Sequence, residues 1–307
     1  MAKLEEFKDF QSKGMSFADC KCINSLAQLR EILGELKSIR SKQYLFRGVS
    51  EAKYKLYTSG QREYIQNEYN LFGVDYQNFM QSLLAILTQD TDWMEYNKTA
   101  KIPMNASYCF TYLQHYGAPT SYIDFTTDVF VALFFSCHNP HFVPSDNEID
   151  NYLSLYYVEK GDIEYVVDKY NGVFGITRKD KGSYQQRAKN EDFPNLSFST
   201  LQKLGAFYID SERKRGDFGN KRFIFRMPNR NMLAQKGVLI YNADDSNPLE
   251  KTNLFRDKIH CLNIHKSLCY SIMNVCSEKG ITYEKLFPDE RQIAQKVYSD
   301  FKRTLPK

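Results

Sequence analysis

The stretch TSYIDFTTDVFVALFFSC, residues 120–137, joins a strand directly to a helix and indicates the fold class of this chain. Residues 121–125 are short, aromatic and β-branched, as strands commonly are. Asp128 follows at a position where a helix N-terminus favours negative charge, and the apolar run after it predicts a buried helix through residue 135. A strand that leads into a buried helix is typical of proteins whose helices pack on a sheet.

Outward from this stretch, the sequence predicts helices mainly before it and strands mainly after it. Residues 26–36 and 105–116 carry apolar side chains at helical spacing. Short aromatic or β-branched runs predict strands at residues 43–48, 152–158, 164–168, 222–227, 237–241 and 258–264. Helical patterns return at residues 266–277 and 289–303. The sequence therefore predicts an α+β fold, with a mixed or antiparallel sheet flanked by helices.

The composition is that of an ordinary globular protein. The chain has 307 residues, of which 42% are hydrophobic and 25% charged, and these values exclude a disordered chain, a collagen and a coiled coil. The longest apolar run, residues 129–137, is about half of the roughly 20 residues that cross a bilayer, and the first ten residues lack an apolar signal region. We therefore expect a cytoplasmic protein without membrane contact. Seven scattered cysteines predict free thiols.

One part of the sequence is distinctly basic. Residues 178–222 hold eleven Lys and Arg against six Asp and Glu, a balance of +5 in a chain whose total is +4. We expect a basic peripheral lobe near residues 170–220. Its Lys214 and Arg215, with Phe207, Tyr208 and Phe218 nearby, suit contacts to phosphates and stacking on bases, although a solvated loop has the same composition.

The segment YLFRG, residues 44–48, carries the first candidate binding residue. Arg47 ends an apolar strand, and Gly48 after it lets a backbone or a ligand approach closely. A planar guanidinium forms two parallel hydrogen bonds with a carboxylate or phosphate, which lysine cannot do. The alternative is a structural arginine that pairs with an internal carboxylate.

Residues 113–126 are rich in polar side chains although apolar elements flank them, which predicts a cleft wall. His115 is a candidate acid, base or ribose-hydroxyl partner, Tyr116 can stack on a ring, and Asp124 can orient an imidazole or pair with Arg47. For His115 the alternative is a hydrogen-bonded core histidine. Asp128 is interpreted as a helix-end stabiliser rather than as a functional carboxylate. The remaining candidate substrate contacts here are Gln114, Thr120 and Thr126.

The third polar segment, residues 228–240, joins two predicted strands. Gln235 in this segment can position a substrate hydroxyl or a water, Asn229 and Arg230 are candidate substrate contacts, and a surface connection is the alternative. No metal site is expected, since Cys137, His138 and His141 lack a second ligand pair. The sequence also lacks the motifs of serine hydrolases, P-loop NTPases and dinucleotide-binding Rossmann folds.

Taken in order, YLFRG at 44–48, LQHYGAPT at 113–120 and DFT at 124–126 resemble the FRG domain family, named for its Phe-Arg-Gly motif. The NR and QKG elements within residues 229–237 and LFPD at 286–289 resemble its later motifs, so the similarity extends over residues 24–303. This span predicts a single α+β domain that includes the basic lobe. Ser121 and Tyr122 depart from the Arg-Leu pair that is common in the family.

The activity of the family is largely uncharacterised, and the resemblance implies a function only by analogy. A strand-borne arginine, a His-Tyr pair and a late glutamine occur in an order similar to the sites of ADP-ribosyltransferase-like folds. In such a site Arg47 would hold a diphosphate or ribose and His115 a ribose hydroxyl. Tyr116 would stack on nicotinamide, and Gln235 would orient the oxocarbenium centre or the acceptor.

These considerations favour binding of a phosphorylated small molecule or nucleotide, with NAD as a candidate cofactor. A glutamate would stabilise a positive ribosyl centre better than the amide of Gln235 does, which weakens the case for an ADP-ribosyltransferase or an NAD glycohydrolase. Two alternatives stay open: a nucleic-acid-binding or nuclease-like effector that uses the basic lobe, and a non-catalytic interaction domain with an internal polar network. A role in bacterial or phage defence is also left open.

Overall fold

The computed structural model describes residues 2–38, 43–100, 106–138, 142–163, 198–210, 216–218, 221–223 and 230–288. Within these ranges helices and strands are interspersed along the chain. In chain order they are α1 (Phe10–Gly14), β1 (Asp19–Ile23), α2 (Leu26–Ser38), β2 (Tyr44–Val49), α3 (Ser59–Gln66), α4 (Tyr76–Gln89), α5 (Thr91–Ala100), α6 (Ala106–His115), β3 (Tyr122–Thr126), α7 (Val129–Cys137), β4 (Tyr152–Glu159), α8 (Phe198–Leu204), β5 (Phe207–Asp210), β6 (Gly216–Phe218), β7 (Lys221–Phe223), α9 (Arg230–Ala234), β8 (Gly237–Tyr241), β9 (His260–His265), α10 (Cys269–Glu278) and α11 (Tyr283–Leu286).

Seven of the strands form one open sheet in the order β1-β9-β4-β2-β3-β8-β5. The β1–β9 pair is parallel, whereas the other pairs are antiparallel, so the predicted α+β fold with a mixed sheet is confirmed. β6 and β7 form a separate two-stranded ribbon. The predicted strand at residues 164–168 and the predicted helix at residues 289–303 lie outside the described residues.

The sheet separates in its middle, between β2 and β3. These strands share one residue pair, Phe46 with Thr126. By contrast, β2 pairs with β4 over six residues, and β3 pairs with β8 over five. Because the outer ladders hold the two strands firmly, the separation between them is a fixed feature of the sheet.

The helices cover one face of the sheet in two groups, whose boundary coincides with this separation. One group, α4, α5, α6 and α8, packs on β3, β8 and β5 around Phe110 and Tyr122. The other, α2, α7 and α10, packs on β9, β4 and β2 around Leu133 and Leu155. A third apolar cluster covers the opposite face of the sheet and includes Leu45 of β2.

Helix α7 lies against β2 because Gly48 has no side chain. A Cβ at Gly48 would overlap the backbone carbonyl of Ala132 in α7. The start of α7 is fixed by Asp128, whose carboxylate accepts a hydrogen bond from the Phe130 amide at 3.0 Å. Asp128 also pairs with Lys236 at 2.9 Å. The prediction that Asp128 stabilises a helix end is confirmed.

The structure changes the expectation for part of the basic lobe. β5 belongs to the main sheet, and its Phe207 and Tyr208 are buried in the core, so these two rings are not available to stack on bases. The charged residues Lys214 and Arg215 lie outside the described ranges, as does most of the stretch 170–220.

Two further general features follow from the described ranges. Every helix in them is too short or too polar to cross a membrane. All seven cysteines have free thiols.

Candidate functional site

A cleft of about 470 Å³ opens where β2 and β3 separate. Its base consists of residues of these two strands, and its sides are the end of α6, the first turns of α7, and α9 with Phe287. A volume of this size falls within the range of small-molecule sites. The cleft combines an apolar wall, which includes Phe135 and Phe287, with polar groups from three separate segments of the chain.

Arg47 lies at the point of separation and partly replaces the missing strand ladder. Its Nη1 donates a hydrogen bond to the backbone carbonyl of Asp124 at 2.6 Å. Its Nε is buried and has no hydrogen-bond partner in the part of the chain that the structure describes. Burial lowers the pKa of Arg47, and the Asp124 carboxylate partly opposes this effect. An arginine nevertheless keeps its charge at neutral pH, so the cleft has a fixed cation at its base.

A second cation, Arg62 of α3, lies close enough to act on this site. Its charge lowers the pKa of Arg47, and Asp124 interacts with both arginines. The Nη1 of Arg62 donates to the backbone carbonyl of Tyr57 at 3.2 Å. Arg62 was missed at the sequence level because it lies in a polar helical stretch without a motif. Two cations around one carboxylate leave this side of the cleft with a net positive charge.

The Asp124 carboxylate is held by Gln114. The Gln114 side-chain amide donates to Asp124 Oδ2 at 2.8 Å, and its oxygen accepts hydrogen bonds from the hydroxyls of Thr120 and Ser59. Since two hydroxyls donate to the oxygen, the amide nitrogen must face the carboxylate. Thr120 is fully buried behind Gln114 and does not line the cleft. The network therefore fixes Asp124, whose side chain is otherwise exposed.

His115 ends α6 and lines the cleft next to Asp124. Its Nε2 is buried and has no hydrogen-bond partner among the described residues. Burial lowers the pKa of His115 below its ordinary value, and the charge of Asp124 opposes this effect. The ring is therefore neutral at pH 7. Tyr116 is 68% exposed and lies outside the lining, with its ring edge-on to that of His115 at 5.9 Å.

The third segment contributes Gln235 and Asn231. The Gln235 side-chain nitrogen donates to the Leu286 carbonyl at 3.1 Å, which leaves its amide oxygen as an acceptor. The Gln235 backbone carbonyl accepts from the Thr126 hydroxyl at 2.7 Å and so attaches α9 to β3. Sequence reasoning missed Asn231, although it belongs to the same polar segment as Gln235.

The structure thus brings most of the predicted site residues together. The cleft lining contains seven of them: Arg47, Gly48, Gln114, His115, Asp124, Thr126 and Gln235. Tyr116, Thr120 and Arg230 do not line it, and Asn229 lies outside the described residues. Gly48 is at the wall, where its missing side chain is explained by the close approach of α7.

Metal ligation has no support in the described ranges, which contain no cluster of three or more His, Cys, Asp or Glu side chains suited to an ion. Of the three residues considered at the sequence level, His141 lies outside those ranges. His138 instead stacks between the rings of Phe134 and Tyr283 at 5.0 and 5.5 Å.

Comparison with known proteins gives one positive result. No curated protein and no solved structure matches this chain. A family model matches a segment of the chain that includes β2 and β3 and supplies Arg47, Gln114, His115 and Asp124 of the cleft. This segment, residues 42–143, matches the family model of the FRG domain.

Proposed function

We propose that the cleft binds a phosphorylated small molecule, of the nucleotide class, with Arg47 as the anchor for a phosphate. The observation that carries this proposal is the incomplete pairing of Arg47. Its guanidinium has one hydrogen bond to a backbone carbonyl, a buried Nε–H without a partner among the described residues, and a second cation, Arg62, nearby.

The energetics of a buried cation support this reading. Removing a guanidinium from water costs several kcal/mol, and a carboxylate with ideal geometry normally offsets this cost. No described carboxylate lies within ion-pair distance of Arg47, and Asp124 directs its Oδ2 towards Gln114. A phosphate that enters the cleft would accept hydrogen bonds from Nε and from Nη atoms together.

The rest of the cleft suits the non-phosphate part of a nucleotide. The unpartnered Nε2 of His115 and the amide oxygen of Gln235 suit hydrogen bonds to sugar hydroxyls. The rings of Phe135 and Phe287 offer apolar contact for a base or another planar group. This pairing of an anion site with hydroxyl and ring contacts makes NAD and ADP-ribose the first compounds to test.

The Asp124 carboxylate is the specific reason to consider NAD as a substrate. Among the lining residues it is the one carboxylate, and a carboxylate stabilises positive charge at a ribosyl carbon better than the Gln235 amide does. If NAD is cleaved here, Asp124 is therefore the residue that supports the reaction. His115, neutral at pH 7, would then contact a ribose hydroxyl rather than transfer a proton as an imidazolium.

Calorimetric titration with NAD, ADP-ribose, ATP and ribose 5-phosphate tests binding directly. We expect Arg47→Met to weaken binding by about 100-fold, because two charge-assisted hydrogen bonds and one ion pair are lost. Arg47→Lys keeps the charge without the planar fork, so its affinity should lie between the two. Arg256→Ala removes an exposed arginine outside the cleft lining and should bind as the wild type does.

Nicotinamide release from NAD tests the reaction separately. Asp124→Asn should abolish release while NAD binding changes only a few-fold. The binding proposal is wrong if none of the four compounds binds, or if Arg47→Met binds them as tightly as the wild type. If the wild type binds NAD without releasing nicotinamide, binding stands and the assignment of Asp124 to a reaction does not.

A further inference from the structure

A second cluster of reactive side chains lies on the other face of the sheet, on β9 and β1, the second and third strands from β2. Cys20 of β1 and Cys261 of β9 are register partners in the parallel pair, so their side chains project to the same face. Neighbouring strands are about 4.8 Å apart, within the range of roughly 4.4–6.8 Å that a disulfide requires between Cα atoms. The backbone therefore already has the spacing of a cross-strand disulfide.

A buried ammonium group supports this pair. Lys13 of α1 is fully buried, and its Nζ donates to the Ala52 carbonyl, the Ser154 hydroxyl and Asn263 Oδ1 at 2.6–2.7 Å. All three acceptors are neutral, and no described carboxylate lies within ion-pair distance of Lys13. The positive charge is thus available to stabilise an anion nearby.

Asn263 connects this charge to the two thiols and distinguishes them. Its oxygen accepts from Lys13 and from the Cys261 thiol at 3.4 Å, and its nitrogen donates to the Cys20 sulfur at 3.1 Å. Cys20 is therefore an acceptor, as a thiolate must be, whereas Cys261 is a donor, as a protonated thiol must be. A lysine on the amide oxygen polarises the amide and strengthens its bond to Cys20.

The electrostatics agree with this division of roles. The neighbouring Cys261 thiol, the charge of Lys13 and the Asn263 amide lower the pKa of Cys20 to about 7, against burial and the carboxylate of Asp19. Burial raises the pKa of Cys261 well above its ordinary value. Cys20 is partly exposed, so small reagents reach it, while Cys261 is buried beside it. Cys22 is more exposed than Cys20, but desolvation and the charge of Cys20 raise its pKa.

We propose that Cys20 and Cys261 form an oxidisable dithiol, in which Cys20 attacks a hydroperoxide and Cys261 converts the product to a disulfide between β1 and β9. In the first step the Cys20 thiolate bonds to one peroxide oxygen and the O–O bond breaks. The other oxygen leaves as hydroxide or alkoxide and takes up a proton from water, and Cys20 becomes a sulfenic acid.

In the second step the sulfur of Cys261 bonds to the sulfur of Cys20 and the S–O bond breaks. The hydroxide leaves with the proton of the Cys261 thiol as water. The two sulfurs together supply the two electrons that reduce the peroxide. The product is one disulfide, one water and one further water or alcohol.

Peroxide treatment of the folded protein, followed by peptide mapping, tests the pair. We expect a Cys20–Cys261 cross-linked peptide and an intact mass lower by two hydrogens. In Cys261→Ser the sulfenic acid has no resolving thiol, so dimedone should label Cys20. Cys22→Ser is the matched control, because it removes the more exposed thiol of the same strand and should cross-link as the wild type does.

Alkylation of the wild-type protein with iodoacetamide tests the roles without any variant. Exposure alone predicts that Cys22 reacts first, whereas the Asn263 and Lys13 arrangement predicts that Cys20 reacts several-fold faster near pH 7. The rate at Cys20 should level off above about pH 7, whereas the rate at Cys22, whose pKa is raised, should still be increasing there. The proposal is overturned if the rate at Cys20 follows the same pH profile as that at Cys22. It is also overturned if peroxide leaves Cys20 unmodified, oxidises it without a cross-link, or joins other cysteines.

Discussion

Replacing Arg47 by methionine separates a ligand-binding arginine from a structural one. Methionine has a similar length and no charge, so it fills the gap between β2 and β3 without the guanidinium. The substitution loses the hydrogen bond to the Asp124 carbonyl, which is worth about 1.5–3 kcal/mol for a charged donor. The wild type buries an Nε–H without a described partner, and such an unsatisfied donor costs about 1–3 kcal/mol. The substitution removes this cost.

These two terms nearly cancel, and two further terms favour the variant. Methionine needs no desolvation of a charge, and it removes the repulsion between Arg47 and Arg62. Water in the cleft can replace the lost donor at the Asp124 carbonyl. We therefore expect the free energy of unfolding of the ligand-free Arg47→Met protein to be unchanged or higher by up to about 2 kcal/mol.

Urea unfolding of wild type and variant measures this difference, with Leu45→Ala as the reference for a structural residue of the same strand. Leu45 is fully buried, and its truncation should cost about 2–5 kcal/mol. A ligand at 100 times its Kd should add about 2.7 kcal/mol to the wild type and much less to Arg47→Met. A loss above about 2 kcal/mol in ligand-free Arg47→Met would refute this reasoning and favour an internal polar network.

Three further predictions concern stability and are checked by the same unfolding measurement. Gly48→Ala should lose about 3 kcal/mol, because the new Cβ would overlap the Ala132 carbonyl of α7, and an unchanged stability would show that α7 can move away. Asp128→Ala should lose about 1–2 kcal/mol through its helix cap, and Asp128→Asn, which keeps the capping oxygen, should lose clearly less. Burial raises the pKa of Glu250 to about 7. Since this value lies above the unfolded one, the wild type should lose about 3 kcal/mol as pH rises from about 4.5 to about 7. Glu250→Gln should flatten this fall, and an equally steep profile in the variant would contradict the assignment.

Local patterns were sufficient for the elements that define the site. The apolar run after Asp128 predicted α7, and the β-branched and aromatic runs predicted β2, β3, β4, β8 and β9. The polar residues between apolar elements, Arg47, His115 and Asp124, were expected in one cleft, and they line one. These features depend on side-chain periodicity and on polarity next to the core, which are local properties of the chain.

The missed features depend on contacts between distant segments. β1 is a short strand with two charged residues, and its partner β9 lies more than 200 residues further along the chain, so its own pattern gives little signal. β5 lies within the basic stretch and was assigned to a peripheral lobe, although Phe207 packs in the main core. The separation of β2 from β3 follows from the registers of their outer ladders, which no single segment encodes.

The pairing of β2 and β3 also limits how the segment that matches the FRG family model can be cut out of the protein. The segment 42–143 holds these two strands, which share one residue pair, while their long ladders are made with β4 and β8 from outside the segment. A fragment limited to residues 42–143 would therefore expose an unpaired edge on each strand, and such edges promote aggregation. In a multi-domain rearrangement this segment would have to move together with β4 and β8, since the sheet that supports it is completed by later parts of the chain.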